Sequence, residues 1–394
     1  MATVLLVIIY MAFIGLGLPD TLLGVSWPVM HQEFGVDEGM AGILSLTISV
    51  ATIISSLFSL KVTNKLGTGK VTALSVLMTA IGILLVSVMP SIYWFFLIAI
   101  PLGLGAGAVD TSLNNYVASH FKPRHMSWLH ALWGVGAMTG PVLMSFYLAE
   151  GNWRKGYFCV AIILLIIAEI LWFSLPLWTK FEKSRGIIPE NEEKSPSEKY
   201  SLTDAFKEDG AKISMLAFLF YCGIEMIIGL WGSSYLINIV KINASKASLW
   251  ISFFFAAITV ARAISGVLTI RVKNKTQLRY GQGIIALGAF LLIFPLPPIM
   301  IEFAIILIGI GCAPIYPLMI HETPKRFGKN SAAVMGLQLA SAYCGFAFIP
   351  LGFGYLASAT SFAIMPIVLL IFIVIVIICT EGINRLTKKN QSLH

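Results

Sequence analysis

Charge is what this 394-residue chain has least of: Asp, Glu, Lys and Arg together make up 12% of it. Soluble domains carry roughly a quarter, so an ordinary globular enzyme is excluded. No Gly-x-x-x-x-Gly-Lys-[Ser/Thr] occurs, which argues against ATP as an energy source. Cysteine is sparse as well. Cys159, Cys222, Cys312, Cys344 and Cys379 show neither Cys-x-x-Cys nor Cys/His spacing. They read as small apolar packing residues, with no disulfide or metal site implied. His, Cys and acids never cluster at catalytic spacing, so no enzyme and no cofactor is expected.

What is abundant is apolar sequence. Hydrophobic residues make up 57% of the chain and mean hydropathy is +0.86. Apolar stretches recur near the ~20 residues needed to cross a bilayer as a helix. Barrel strands would be ~10 residues long and alternating. Twelve spans are predicted, with ends good to a few residues: 3–29, 39–60, 71–89, 92–119, 128–149, 155–178, 212–238, 247–270, 277–296, 299–321, 331–357 and 361–381. The expected fold class is an all-α polytopic membrane protein. The first stretch lacks a basic flank and a cleavage site and contains Asp20, so it is read as a retained helix.

Basic residues orient the chain. With the N-terminus inside, 22 of the 27 Lys and Arg fall in cytoplasmic connections and four outside, while Arg262 lies within a span. That bias predicts both termini in the cytoplasm. It also accounts for the net charge of +8 as a basic face beside anionic lipid, without nucleic acid. One long hydrophilic segment, 179–211, contains Glu190-Asn-Glu-Glu-Lys-Ser-Pro-Ser-Glu-Lys199 and is a charged cytoplasmic linker. Its end, with Ser201 as cap and Asp204 at the third position, can begin a short interfacial helix. The predicted domains are therefore 1–178, the linker 179–211, 212–383, and a cytoplasmic tail 384–394.

The rare charges inside spans carry the most information. Asp20 and Glu225 lie in the first and seventh spans, 205 residues apart, each four residues before a glycine, and Asp110 lies in the fourth. An ionisable group in hydrocarbon costs roughly 2.5–3.5 kcal/mol by insertion scales and faces a cavity or a partner. The halves match elsewhere. Gly103-x-Gly105-x-Gly107 corresponds to Gly309-x-Gly311 at an offset of 206, and Pro141…Tyr147-Leu-Ala to Pro350…Tyr355-Leu-Ala at about 208. Parallel repeats of this kind place a solute near the midplane and alternate access to it.

Two six-helix, pseudo-symmetric bundles around a charged loop resemble the major facilitator superfamily over the whole chain. Between spans two and three, Asn64 stands where that superfamily's signature loop has Asp, while Gly67, Gly69 and Lys70 remain. The gating ion pair attributed to that Asp is thus in question, although Asn64 could cap a helix. Within the superfamily, Asp20, the run Gly107-Ala-Val-Asp110-Thr-Ser-Leu-Asn114-Asn115-Tyr116-Val117 and Tyr316-Pro317 resemble fucose:proton symporters and their sodium-dependent glucose transporter relatives. The fourth-helix acid there is normally Glu, and Glu225 has no counterpart carried over. The resemblance implies import of a monosaccharide or similar polyhydroxy solute by symport with H⁺, or else Na⁺, through a rocker-switch cycle. A lipid-embedded monomer suffices for this architecture, and with no targeting signal read in the sequence the bacterial inner membrane is the default expectation.

A carboxyl group in low dielectric can hold a proton and release it to water, because desolvation penalises its charged form. Asp20, Asp110 and Glu225 are the cation-coupling candidates. Asp110 with Asn114 and Asn115 offers a sugar acceptors and donors, and Trp27, Trp133 and Trp231 are candidate platforms. Tyr316, His130 and Gln338 complete the substrate-binding set, and Tyr343, about 140° around the helix from Gln338, would face away. Each has a structural rival. Asp20 could bond backbone freed by Pro19, Asp110 could satisfy Asn neighbours across helices, and Glu225 could pair with Arg262. Trp94, Trp153, Trp172 and Trp178 are read as interfacial anchors. Gly136-x-x-x-Gly140-Pro141 permits close helix approach and bending. It also resembles a motif of drug:proton antiporters, which keeps a proton-coupled exporter as the alternative.

Overall fold

The structure is a computed structural model that describes residues 2–121, 123–184 and 202–391. Among the described residues it is helical, with no strand: α1 (Ala2–Asp20), α2 (Leu22–Phe34), α3 (Met40–Leu66), α4 (Thr68–Val88), α5 (Tyr93–His120), α6 (Pro123–Ala149), α7 (Trp153–Phe173), α8 (Leu175–Ser184), α9 (Leu202–Lys207), α10 (Ala211–Asn238), α11 (Ala244–Leu268), α12 (Asn274–Leu291), α13 (Pro298–Cys312), α14 (Ile315–Phe327), α15 (Ser331–Ala359) and α16 (Met365–Gln391). Most of the linker and the proposed cap Ser201 lie outside the described residues; α9 follows directly.

Among the described residues, eleven helical stretches are long and apolar enough to cross a membrane, with α1–α2 and α13–α14 each counting as one. The twelfth place is held by α12, whose sequence is more polar. Its Gln277 and Gln282 are buried and spend their polarity on neighbours. Ser265 Oγ donates to Gln277 Oε1 at 2.9 Å, and Gln282 Nε2 donates to Thr380 Oγ1 at 2.9 Å. Paired in this way, an amide is affordable in an apolar interior.

The chain forms two compact units, Met1–Glu193 with Ile242–Ser252, and Lys194–Lys241 with Phe253–His394. The N-terminal end of α11 therefore belongs to the first unit, where Ser248 and Ser252 donate to the carbonyls of Pro141 and Met138 at 2.7 and 2.8 Å.

Glycine sets the helix spacing in both units, and the repeat is visible in the contacts themselves. In the first unit a β-carbon at Gly103 would strike the Ile48 carbonyl of α3, and one at Gly105 the Ser75 carbonyl of α4. In the second unit Gly309 meets the Phe254 carbonyl of α11, and Gly311 that of Gly281 on α12. All four partners are shifted by the same 206 residues. Gly136 and Gly140 lie against Ile14 and Leu18 of α1, with Gly17 answering against Trp133. The Gly-x-x-x-Gly-Pro motif is thus the α1–α6 seam, where small residues let backbones meet.

Proline breaks the helices where function is expected. A proline has no N–H to give the carbonyl four residues earlier. Pro141 leaves the Ala137 carbonyl free, and Thr21 Oγ1 donates to it at 3.2 Å. Thr21 itself separates α1 from α2, two residues beyond Pro19. Ala313 and Pro314 separate α13 from α14.

Candidate functional site

Asp20 is the last residue of α1, at that break, and its side chain is exposed on the first unit. Trp133 Nε1–H of α6 donates to Asp20 Oδ2 at 2.8 Å, a charge-assisted bond whenever the carboxylate is ionised. Gly17 allows this, because α1 and α6 touch backbone to backbone one turn away. Asp110 on α5 is half-buried, and Asn114 Nδ2 donates to both its carbonyl oxygen and its Oδ1 at 2.9 Å. Its partner is thus one turn on along the same helix, and not across helices as the structural rival supposed. Asp20 and Asp110 lie close enough for the charge of one to act on the other. Asn115 is exposed on the same turn.

In the second unit Glu225 on α10 is 8% exposed. Tyr221 Oη lies 2.9 Å from Glu225 Oε2 and equally 2.9 Å from the Cys312 carbonyl at the end of α13. Arg262 on α11 is half-buried, and its Nε donates to the Ala313 carbonyl at 3.4 Å. That carbonyl is available because Pro317, four residues on, lacks an N–H. The Glu225–Arg262 pair, the structural rival for Glu225, is not formed: among the described residues neither takes part in an ion pair. Arg262 instead serves the break between α13 and α14, and Glu225 shares Tyr221 with it.

Asp20 with Trp133, and Tyr221 with Glu225, thus stand at two helix breaks inside membrane-length helices, with polar atoms left accessible at Asp20. Such an arrangement can hold and release a proton or a cation and can offer hydrogen bonds to a polar solute. A sequence model of the Major Facilitator Superfamily matches residues 9–320 and, again, 213–392. The chain belongs to the Major Facilitator Superfamily. It is a multi-pass membrane transporter and not an enzyme. The glucose/mannose transporter GlcP of Bacillus subtilis (strain 168) is 24% identical over 288 residues, covering 72% of this chain and 70% of that protein. The cis,cis-muconate transport protein of Acinetobacter baylyi is 20% identical, covering 86% and 84%. The fold is shared with the nucleoside transporter NupG at a TM-score of 0.73 and 15% identity, covering 96% and 98% of the two chains. A D-xylose-proton symporter superposes at 0.72 with 12% identity, covering 94% and 96%.

Within this superfamily scaffold, several predicted site residues take structural roles. Trp27 and Trp231 are fully buried, so neither is a sugar platform. Trp27 Nε1 donates to the Glu38 carbonyl at 2.7 Å, and Trp231 Nε1 to that of Pro350 at 2.8 Å. A buried indole needs such an acceptor. Gln338 is 1% exposed, receives Thr323 Oγ1 at 2.9 Å and donates to Ser214 Oγ at 2.5 Å, which joins α14, α15 and α10. It lines no open surface. Asn64 is exposed and caps nothing, since the N-cap of α4 is Gly67 at φ 82°, without a side-chain bond.

His130 is exposed with its ring edge-on to Phe13 at 5.9 Å, and Tyr316 is half-buried against Phe218 at 5.5 Å. Tyr343 is half-buried. Of the interfacial tryptophans, Trp94 and Trp172 are exposed, whereas Trp153 and Trp178 are core. Trp153 Nε1 donates to Glu33 Oε2 at 2.5 Å, and Arg154 Nη2 holds Glu33 Oε1 at 2.8 Å. That clamp and Tyr221 were not singled out from sequence. The spacing of Tyr221 to Glu225, four residues on one helical face, was the available signal.

Proposed function

We propose that this superfamily member imports a sugar or similar small polyhydroxy solute, driven by a cation gradient, H⁺ before Na⁺, through alternating access. The observation that carries the reading is Asp20. It is a carboxylate exposed at a helix break inside a membrane-length helix, held by an indole N–H and within electrostatic reach of Asp110. An acid in that position can exchange a proton or Na⁺ with water while Asp110 and its Asn114 neighbour present hydrogen-bonding groups to hydroxyls. The half-exposed Trp133 ring is the aromatic surface that remains once Trp27 and Trp231 are assigned to the cores. The sugar class is supported by the glucose/mannose transporter among the relatives. Both termini in the cytoplasm, which the basic-residue bias supports, a bacterial inner membrane and a monomer complete the proposal.

Purified protein is screened by thermal shift against monosaccharides, in Na⁺ or K⁺ and at two pH values. A ligand that binds only the folded state raises the melting temperature by mass action. A shift with a hexose or pentose that disappears in Asp110→Asn supports sugar import. Silence with sugars, together with shifts by lipophilic cations, replaces it with the proton-coupled exporter.

A further inference from the structure

The break in the second unit has more acceptors than its nearest donor can serve. Tyr221 stands 2.9 Å from Glu225 Oε2 and 2.9 Å from the Cys312 carbonyl, yet a phenol has one O–H to give. Tyr221 and Cys312 are fully buried and Glu225 nearly so. The other titratable groups acting on this spot are Cys222 on the same helix, the Cys312 thiol of α13 and Arg262 from α11, with the Tyr316 ring of α14 6.4 Å from that of Tyr221. Arg262 is engaged with the neighbouring Ala313 carbonyl.

Each protonation state of Glu225 therefore dictates a different arrangement. With the carboxyl protonated, its O–H donates to Tyr221 Oη, and Tyr221 O–H donates to the Cys312 carbonyl; every group is served. When the proton leaves for water, Tyr221 O–H turns to the carboxylate, the stronger acceptor. The Cys312 carbonyl, at the interrupted end of α13, is then left without that donor. An unmet buried acceptor is costly, so the break loosens.

We propose that Tyr221 is a positioning residue that ties the proton occupancy of Glu225 to the hydrogen bonding of the α13–α14 break. The inference rests on the cation-coupled reading above, but its test contains no solute, so failure of the sugar assignment leaves it untouched. Hydrogen–deuterium exchange of the full chain is followed at acid and alkaline pH, corrected for the intrinsic pH dependence of exchange. Peptides over 309–318 are compared with peptides over α15. In the wild type the break is expected to exchange roughly fivefold faster at alkaline pH, the equivalent of one hydrogen bond. Tyr221→Phe keeps the ring and loses the hydroxyl, so it exchanges fast at both pH values. Glu225→Gln keeps a donor facing Tyr221 and exchanges slowly at both. Protection in the wild type that ignores pH overturns the proposal, as does either variant retaining the wild-type pH dependence.

Discussion

Asp20 and Glu225 occupy matching places in the two halves, and the structure treats them in opposite ways. Asp20 ends α1, is exposed and is held by an indole from another helix. Glu225 lies within an unbroken α10, is buried, and shares a tyrosine of its own helix with a carbonyl of the next break. Elsewhere in the halves, the glycine contacts of α5 and α13 recur residue for residue at an offset of 206. Duplication thus preserved where backbones touch, because a β-carbon there strikes main chain. It left the acids free to diverge, because their surroundings are side chains.

The largest expected effects test the shared scaffold. Gly136→Leu and Gly345→Leu put side chains against the Ile14 and Leu219 carbonyls of α1 and α10. Overpacking costs about 1–3 kcal/mol even where side chains can yield, and here backbone must. Both variants are expected to lose monodisperse protein by size-exclusion chromatography. If one half tolerates the change, the two seams are not equivalent.

Next come the acids. Asp20→Asn is expected to fold normally, since its side chain is exposed, while gradient-driven accumulation in proteoliposomes falls to about one for want of coupling. Exchange across the membrane persists. Accumulation at the wild-type level would falsify the coupling role of Asp20. Trp133→Phe keeps the ring but removes the donor to Asp20, with an expected loss of about 1.5–3 kcal/mol in that charge-assisted bond. The signature is an altered pH profile of uptake with little change in melting temperature. Asn114→Ala removes the neutral partner of Asp110, and solute affinity drops by about 1 kcal/mol, or roughly fivefold; titration of the ligand found in the thermal screen reads this directly. Smallest of all are Trp27→Phe and Trp231→Phe. Each loses one buried hydrogen bond, near 1 kcal/mol of stability, and neither changes solute affinity. A changed affinity in either would return that indole to the binding surface.

Much of the scaffold was legible in the sequence. Hydrophobic runs placed the spans because lipid demands long apolar helices, and the recurring offset announced the repeat. The polar α12 was the least readable, since Gln277 and Gln282 become tolerable only through partners 12 and 98 residues away. The site was half legible. Asp20, Asp110 and Asn114 stand out by type and spacing, and Tyr221 was readable at four residues from Glu225. Trp27, Trp231 and Gln338 were misread as solute-facing, because composition alone does not show which side of a helix meets its neighbours.

The sequence by itself determined the class of protein and the repeat, because lipid penalises exposed polar groups; proline, which lacks an N–H, stands near both helix breaks but also inside the unbroken α5, α6 and α15. The tertiary structure alone decided what each polar group at those breaks would meet. Trp133 reaches Asp20 across 113 residues, and Tyr221 reaches Cys312 across 91. Contacts at that separation follow from how helices pack, and the linear chain does not encode them in any local pattern.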